Sequence, residues 1–323
     1  MTTYILRRIL QTLAVIVILS YICFSLMTLM PGDPVELMIS ANPRITQEDV
    51  VRLRQFYGLD QPTYVRYYHW ASEILSGELG YSRTYRVPVS EMLAPALKAT
   101  FVLSMVSLGF SLLIAIPLGI YCALKPNTKF DYTVNLLNFA GISIPSFWLG
   151  IVLIIIFSVI LNWLPAGGFQ TTGIKYDGFF DEVVDKSKYL ILPTLSLAIQ
   201  RIGFFSRFSR SAMLEAMRND FIRTARAKGM SESVVVWKHG FRNALIPLIT
   251  ITAISISSVF SGALITETLF AYPGVGRLIY TSIISNDFNV AMISFIISIA
   301  MVLVMNLVAD LLYGVVDPRI SYK

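Results

Sequence analysis

Histidine, cysteine and charge are scarce in this chain, and each shortage closes off a chemistry. The 323 residues include two histidines and two cysteines. His69 and His239 fall in segments assigned below to opposite sides of a membrane, so no zinc site can be assembled from them. Cys23 and Cys122 lie in apolar runs, near opposite ends of their helices and about 20 Å apart in depth, too far for a disulfide. They read as packing residues. There is no Gly-x-x-x-x-Gly-Lys-Ser/Thr, hence no phosphate loop, and no local motif suggests a Ser/His/Asp set. No catalytic, cofactor-binding or metal-binding residue is expected in this chain.

Charged residues make up 14% of the chain and hydrophobic ones 55%, with a mean hydropathy of +0.66. A soluble protein of this length needs far more polar surface, and several runs approach the ~20 apolar residues that span a bilayer. The composition therefore predicts an all-α polytopic membrane protein. The runs are continuous instead of alternating, which argues against a β-barrel. In such a chain the net charge of +6 reports topology and gives no reason to expect a nucleic-acid partner.

Six transmembrane helices are expected, at about 9–30, 100–124, 132–161, 189–207, 243–266 and 289–313. The first follows Arg7 and Arg8, but it is too long for a signal-peptide core and no small-x-small site follows it. Gln200 and Arg201 interrupt the fourth, and Pro117, Pro145 and Pro247 fall within or at the start of spans. Buried neighbours can satisfy the carbonyls that such prolines free. The N-terminus, 125–131, 207–242 and the tail after Tyr313 together hold 14 cations against five acids. The segments 31–99, 162–188 and 267–288 are nearly twice as long in total and hold 11 cations against 14 acids. By the positive-inside rule the first set, and with it both termini, is cytoplasmic.

This divides the chain into an N-terminal transmembrane helix (1–30), an extracytoplasmic helical segment (31–99), and a core of five transmembrane helices (100–323) with a cytoplasmic loop at 208–242. In the second part, Pro31-Gly32-Asp33-Pro34 reads as a stop and turn. Thr46 with Asp49 opens a helix that Gly58 ends, and a second helix is expected from 62 to 76. Tyr57, Tyr64, Tyr67, Tyr68 and Trp70 gather there, either as an interfacial aromatic belt or as a docking surface. The mixed-charge stretch 175–188 reads as part of an ordered loop. Gly274-Val275-Gly276 reads as a tight turn re-entering the membrane surface.

Ionisable residues inside the membrane carry a functional hypothesis by default, and Arg201 and Asp310 are the clearest. Arg201 either lines a pathway and meets an anionic substrate group, or is buried against a polar partner, or snorkels to the interface. The fifth span carries Thr250, Thr252, Ser255, Ser257, Ser258 and Ser261. Of these, Ser255, Ser258 and Ser261 join Arg201 as pathway candidates, against a role as small helix contacts.

The basic loop holds most of the chemistry. Asn219 or Asp220 is placed to cap a short helix, Phe221-Ile222-Arg223-Thr224-Ala225-Arg226-Ala227-Lys228, with Gly229 as its stop. Ser231 then starts a second helix carrying Val234, Val235 and Trp237. A narrow helix with one apolar edge, at Phe221 and Ile222, and basic rims suits a groove on a soluble partner. The same pattern also suits a lipid surface.

At these residues the sequence resembles the permeases of binding-protein-dependent ABC importers. Their cytoplasmic loop follows the pattern Glu-Ala-Ala, three residues, Gly, nine residues, Ile-x-Leu-Pro. With the glycine at Gly229, Ala225 also matches, while Arg223, Thr224, His239 and Arg242 depart from the pattern. The form from Phe221 to Gly229, followed by His239 and by Arg242-Asn243-Ala244-Leu245-Ile246-Pro247, is typical of the dipeptide/oligopeptide/nickel branch. Tyr4-Ile5-Leu6-Arg7-Arg8, Pro31-Gly32-Asp33-Pro34, Tyr57 to Pro62, Gly77 to Ser82, Glu267 to Leu278 and Asp317-Pro318-Arg319 are similar to its first permease subunit, in order along nearly the whole chain.

The resemblance implies a type I importer core in the inner membrane of a prokaryote, with peptides as substrate. It implies a second permease subunit, two ATPase subunits that bind ATP and magnesium, and an extracytoplasmic solute-binding protein. Residues 221–229 would then seat in an ATPase cleft. An ion-driven secondary transporter is the rival, and it predicts paired membrane acids and internal repeats, which the sequence does not offer. A membrane-embedded enzyme lacks a nucleophile or metal set.

Overall fold

Backbone polar groups in a bilayer must be satisfied within the segment, so long apolar runs fold as helices. The computed structural model describes residues 2–29, 35, 39, 46–56, 58–261 and 263–316, and among these there is no β-strand beyond one isolated bridge, Tyr81 to Pro88. The expected turn at 31–34, Tyr57 and the terminal 317–319 lie outside the described residues.

The helices, in chain order, are α1 (Thr2–Thr28), α2 (Gln47–Phe56), α3 (Thr63–Leu75), α4 (Val89–Leu124), α5 (Lys129–Ser143) and α6 (Ser146–Leu153), which runs on as a π-helix (Ile154–Ile160). Then come α7 (Phe179–Arg218), α8 (Asp220–Ala227), α9 (Glu232–Val234) with a π-helix (Val235–Phe241), and α10 (Arg242–Ser257) with a 3-10 turn (Ser258–Ser261). The last three are α11 (Leu264–Leu269), α12 (Val275–Ile284) and α13 (Phe288–Val316). Among the described residues four helices are long and apolar enough to cross a membrane, and a bent pair makes up to five.

The centre is the pairing of α4 with α7. Ser107, Ser111, Ala115 and Gly119 recur every four residues on α4 and are buried. Small residues at that spacing let two backbones approach. A Cβ at Gly119 would lie 2.3 Å from the Ser206 carbonyl oxygen, so no other residue fits there without a shift. Ser209 Oγ donates to the Ile116 carbonyl at 3.1 Å. α5 lies on another side of α7 through Gly203, where a Cβ would meet the Asn138 carbonyl at 2.7 Å.

Three expectations about the segments are corrected. The run 132–161 is not one continuous helix: α5 and α6 meet at 100°. Pro145 disfavours helical backbone in the residue before it, and Ile144 is extended with ψ 123°. Gln200 Nε2 donates to the freed Ile144 carbonyl at 2.5 Å, so the glutamine that weakened the fourth span in sequence completes the break in the third. The stretch 175–188 is not all loop, because α7 begins at Phe179 and runs 40 residues, about 60 Å. That is twice the ~30 Å hydrocarbon core, so α7 projects beyond it. The fifth expected span is divided: α10 covers 16 residues, a 3-10 turn follows, and α11 resumes beyond residue 262.

The segment after α1 forms a helical cap. Thr46 and Asp49 make the expected reciprocal cap of α2, with Asp49 N donating to Thr46 Oγ1 at 3.3 Å and Thr46 N donating to Asp49 Oδ2 at 3.0 Å. The aromatics there divide into two sets. Tyr67 and Trp70 pack on Tyr21 and Phe24 of α1, and Tyr67 shares a 2.7 Å hydrogen bond with Ser20, while Tyr64 and Tyr68 stay exposed. The N-terminal end of α1 is held by Arg8 to Asp310 of α13 at 3.1 Å, which gives one of the two expected intramembrane charges a partner.

Candidate functional site

Residues 208–242 comprise the C-terminal turns of α7 and the segment that follows it. The helix stops where Asn219 turns extended, at ψ 154°. Asn219 occupies the N-cap position of α8, but its side chain donates back to the Glu215 carbonyl at 3.0 Å and does not cap α8. After one short helix the chain reverses at Gly229, whose φ of +72° is the left-handed conformation that ends many helices. Gly229 N donates to the Arg226 carbonyl at 2.9 Å and Met230 N to that of Ala225 at 3.4 Å. The expected order of helix, glycine turn and helix is present, although most of the second helix is π-helical from Val235.

Packing divides α8 differently from the sequence pattern. Ile222 is 0% exposed and Ala225 3%, and both are buried in this chain against Val235 and Met217. The apolar edge assigned to a partner is therefore half consumed internally; only Phe221 of that edge faces out. The outward surface comprises Phe221, Arg223, Thr224, Arg226, Ala227, Lys228 and Gly229. Arg226 crosses the glycine turn to Glu232, with Nε to Oε2 at 3.1 Å and Nη2 to Oε1 at 2.5 Å. Those hydrogen bonds hold the Glu232 carboxyl below its ordinary range and raise the Arg226 guanidinium. Arg223 and Asp220, at 3.6 Å, are both largely exposed.

The loop is rigidly seated. Met213, Ala216, Val236 and Ala244 share a buried cluster with Ile120 and Ala123 at the C-terminal end of α4. Gly240 comes so close to α7 that a Cβ would lie 2.7 Å from Met217 Sδ. Beside it, Arg210 of α7 grips Asp131 at the start of α5 through two 2.7 Å hydrogen bonds, Nε to Oδ1 and Nη2 to Oδ2. The Asp131 side chain is 2% exposed and also accepts from Asn127 N at 3.0 Å and Asn135 Nδ2 at 2.8 Å. α8 therefore packs on the end of α7 and on the π-helix, and α7 in turn holds α4 and α5.

The pathway candidates fall on separate elements. Arg201 is partly buried on α7 and donates to the Ser104 carbonyl of α4 at 3.3 Å, with no carboxylate partner among the described residues. Ser255 lies on α10 and donates to its own helix at the Ile251 carbonyl, 2.8 Å away, as Thr250 and Thr252 do to Ile246 and Leu248. Ser258 and Ser261 belong to the 3-10 turn, and their side chains lie outside the described residues.

Sequence reasoning missed a second anchored region at the other end of the core. Glu267 is fully buried; it accepts from Thr100 Oγ1 at 2.8 Å and from Arg277 N at 3.2 Å. A Cβ at Gly274 would lie 2.3 Å from the Glu267 carboxyl carbon, and one at Gly276 2.9 Å from its oxygen. The Gly-x-Gly turn is shaped by this carboxylate. Asp287, also buried, accepts from Ser82 Oγ at 2.5 Å and from Thr84 N at 3.1 Å, tying the cap to the α12–α13 turn. The described residues contain no group of three side chains suited to a metal.

Comparison with known proteins places this geometry. The family model for the inner membrane component of binding-protein-dependent transport systems matches residues 115–322, and the model for the N-terminal part of such components matches 1–106. The oligopeptide transport system permease protein AppB of Bacillus subtilis is 40% identical over 323 residues, covering 100% of both chains. The dipeptide transport system permease protein DppB of Alkalihalophilus pseudofirmus is 34% identical, again over 100% of both. A putative peptide transport system permease of Brucella suis is 37% identical over 100% of both. Among solved structures, an inward-facing MetNI methionine ABC transporter chain superimposes with a TM-score of 0.56 at 19% identity, covering 70% of this chain and 96% of that one. That likeness concerns the fold.

Proposed function

The chain belongs to the inner membrane components of binding-protein-dependent transport systems, and from that membership we propose how it works as the permease of an ATP-driven peptide importer. It is not itself an enzyme; hydrolysis belongs to partner subunits. The observation that carries the mechanism is the seating of α8: a short helix with one face buried against Val235 and Met217 at the end of α7 and the other exposed. Such a helix transmits force instead of merely adhering.

In this reading two ATPase subunits, which hold ATP and magnesium, lie below, and one receives residues 221–229 in a cleft. Contact falls on Phe221, Arg223, Thr224, Arg226, Ala227, Lys228 and Gly229, while Ile222 and Ala225 form the hinge side. Closure of the ATPase pair displaces α8, and the displacement reaches α5 through Arg210 and Asp131. Alternating access requires an energy difference between two states, which ATP bound by the partners supplies. A second permease completes the pathway, and a solute-binding protein delivers peptide to the extracytoplasmic cap. Six spans with both termini inside fit the charge asymmetry, counting the bent α5–α6 pair and the divided α10 as spans. Arg201 faces the pathway and meets anionic groups of the cargo, with Ser255, Ser258 and Ser261 along the same route.

Purification from detergent with an affinity tag on this chain tests the reading. Co-recovery of a second permease and two ATPases is expected, with ATP-dependent peptide uptake on reconstitution. ATP-independent uptake by this chain alone would overturn it.

A further inference from the structure

The loop before α7 builds a cavity that the transport reading leaves unused. Asp185 of α7 pins the loop by accepting from Thr171 N at 2.8 Å, Thr171 Oγ1 at 2.6 Å and Tyr176 Oη at 2.8 Å. On the other flank Gly168 N donates to the Phe270 carbonyl at 2.8 Å, and Gly167 lies against the same backbone, where a Cβ would come within 2.4 Å of that oxygen. Tyr272 is fully buried, with its hydroxyl donating to the Ala99 carbonyl at 3.2 Å and Phe169 edge-on to its ring at 5.7 Å. Four separate pieces of chain therefore meet in one fixed arrangement. They line a half-open cavity of about 570 Å³ walled by Phe169, Leu190, Tyr272 and Pro273, with Lys98 and Lys186 in its lining.

The two lysines differ. Lys186 bonds Glu182 and lies 5.0 Å from the centre of the Phe169 ring, so its charge is already answered. Lys98 is exposed and pairs with no carboxylate among the described residues. An apolar chamber of this size with one uncompensated cation suits a small ligand bearing an anion and an apolar body. On the topology proposed above, the cavity opens on the extracytoplasmic side, where peptide arrives.

We propose that this cavity is a receiving site for short peptides, in which Lys98 holds the free C-terminal carboxylate and the Phe169, Leu190 and Tyr272 wall takes an apolar side chain. The proposal rests on the peptide-importer reading and adds a site to it. The ammonium donates to the carboxylate, a charge-assisted contact that a C-terminal amide cannot reproduce. Selection at this point favours peptides with free, apolar C-termini after the binding protein has released them.

Ser187 also lines the cavity, and Ser187→Cys provides a reporter thiol with both lysines retained. In the assembled importer in nanodiscs, a membrane-impermeant maleimide is titrated against Leu-Leu and against Leu-Leu amide. The free acid is expected to protect the introduced thiol and the amide to fail. Lys98→Gln should raise the half-protecting concentration of the acid about tenfold, the scale of one lost charge-assisted contact, while Lys98→Arg keeps protection. Equal protection by acid and amide, no protection by either, or protection that tracks anionic lipid content would each overturn the site. ATP-driven peptide uptake by the unsubstituted importer is measured in parallel. Uptake without protection removes only this site, whereas absence of peptide uptake removes the reading beneath it.

Discussion

Gly229 sits at φ +72° with open space where a Cβ would be, so its cost of replacement is conformational and not steric. Gly229→Ala is expected to lower stability by about 1 kcal/mol, with Gly229→Asn milder, as read by thermal unfolding of the detergent-solubilised protein. Its role was legible from its place after a helical run. Asp131 and Arg210 were not: 79 positions separate them, and nothing local in sequence marks a pair. Asp131→Asn should cost about 3 kcal/mol, because it leaves Arg210 without its carboxylate. The double change Asp131→Leu with Arg210→Met should recover most of that loss in the same measurement. Recovery separates the price of an orphaned charge from the worth of the pair.

At the scale of elements, α8 has two faces with different consequences. Ile222→Ala removes a fully buried side chain and should destabilise by about 2–4 kcal/mol. Arg223→Glu and Ala227→Trp alter only the exposed face, so stability should hold within about 0.5 kcal/mol while ATP hydrolysis loses its coupling to uptake. Coupling ratios measured in proteoliposomes check this, and full coupling in both variants would remove the docking assignment. The sequence showed that α8 is amphipathic, but not that its apolar face was already occupied by Val235 and Met217. That occupancy is a tertiary fact, and it moves the partner surface onto the basic side. The break between α5 and α6 is similar. Pro145 marked a possible bend, yet the 100° turn is completed by Gln200 from another helix.

For the whole molecule, polar clips tie the cap and α1 to the two ends of α13. Ser82 and Thr84 hold the cap to Asp287, and Arg8 holds α1 to Asp310. The Arg226–Glu232 strap has a defined pH signature. Because Glu232 titrates below its ordinary value, the strap's contribution is complete above the unfolded carboxyl pKa of about 4.3 and is lost as pH falls through the depressed folded value. Neutral pH leaves it intact. Hydrogen exchange at residues 226–232 should therefore be flat near neutrality and rise in acid beyond its intrinsic rate, and Glu232→Gln should abolish that rise.

Composition and order alone marked this chain as a helical membrane protein, predicted from charge which side its basic loop faces, and placed the ends of α2, α3 and α8. Those properties are local: an apolar run must satisfy its own backbone, a left-handed residue ends a helix, and charge near a span orients it. Only the tertiary structure decided what the buried charges do. Glu267 wrapped by a glycine turn, Asp287 under the cap and Asp131 in the grip of Arg210 all depend on groups brought from distant sequence. A carboxylate is costly to bury until a donor meets it, and which donor arrives is set by how the helices pack.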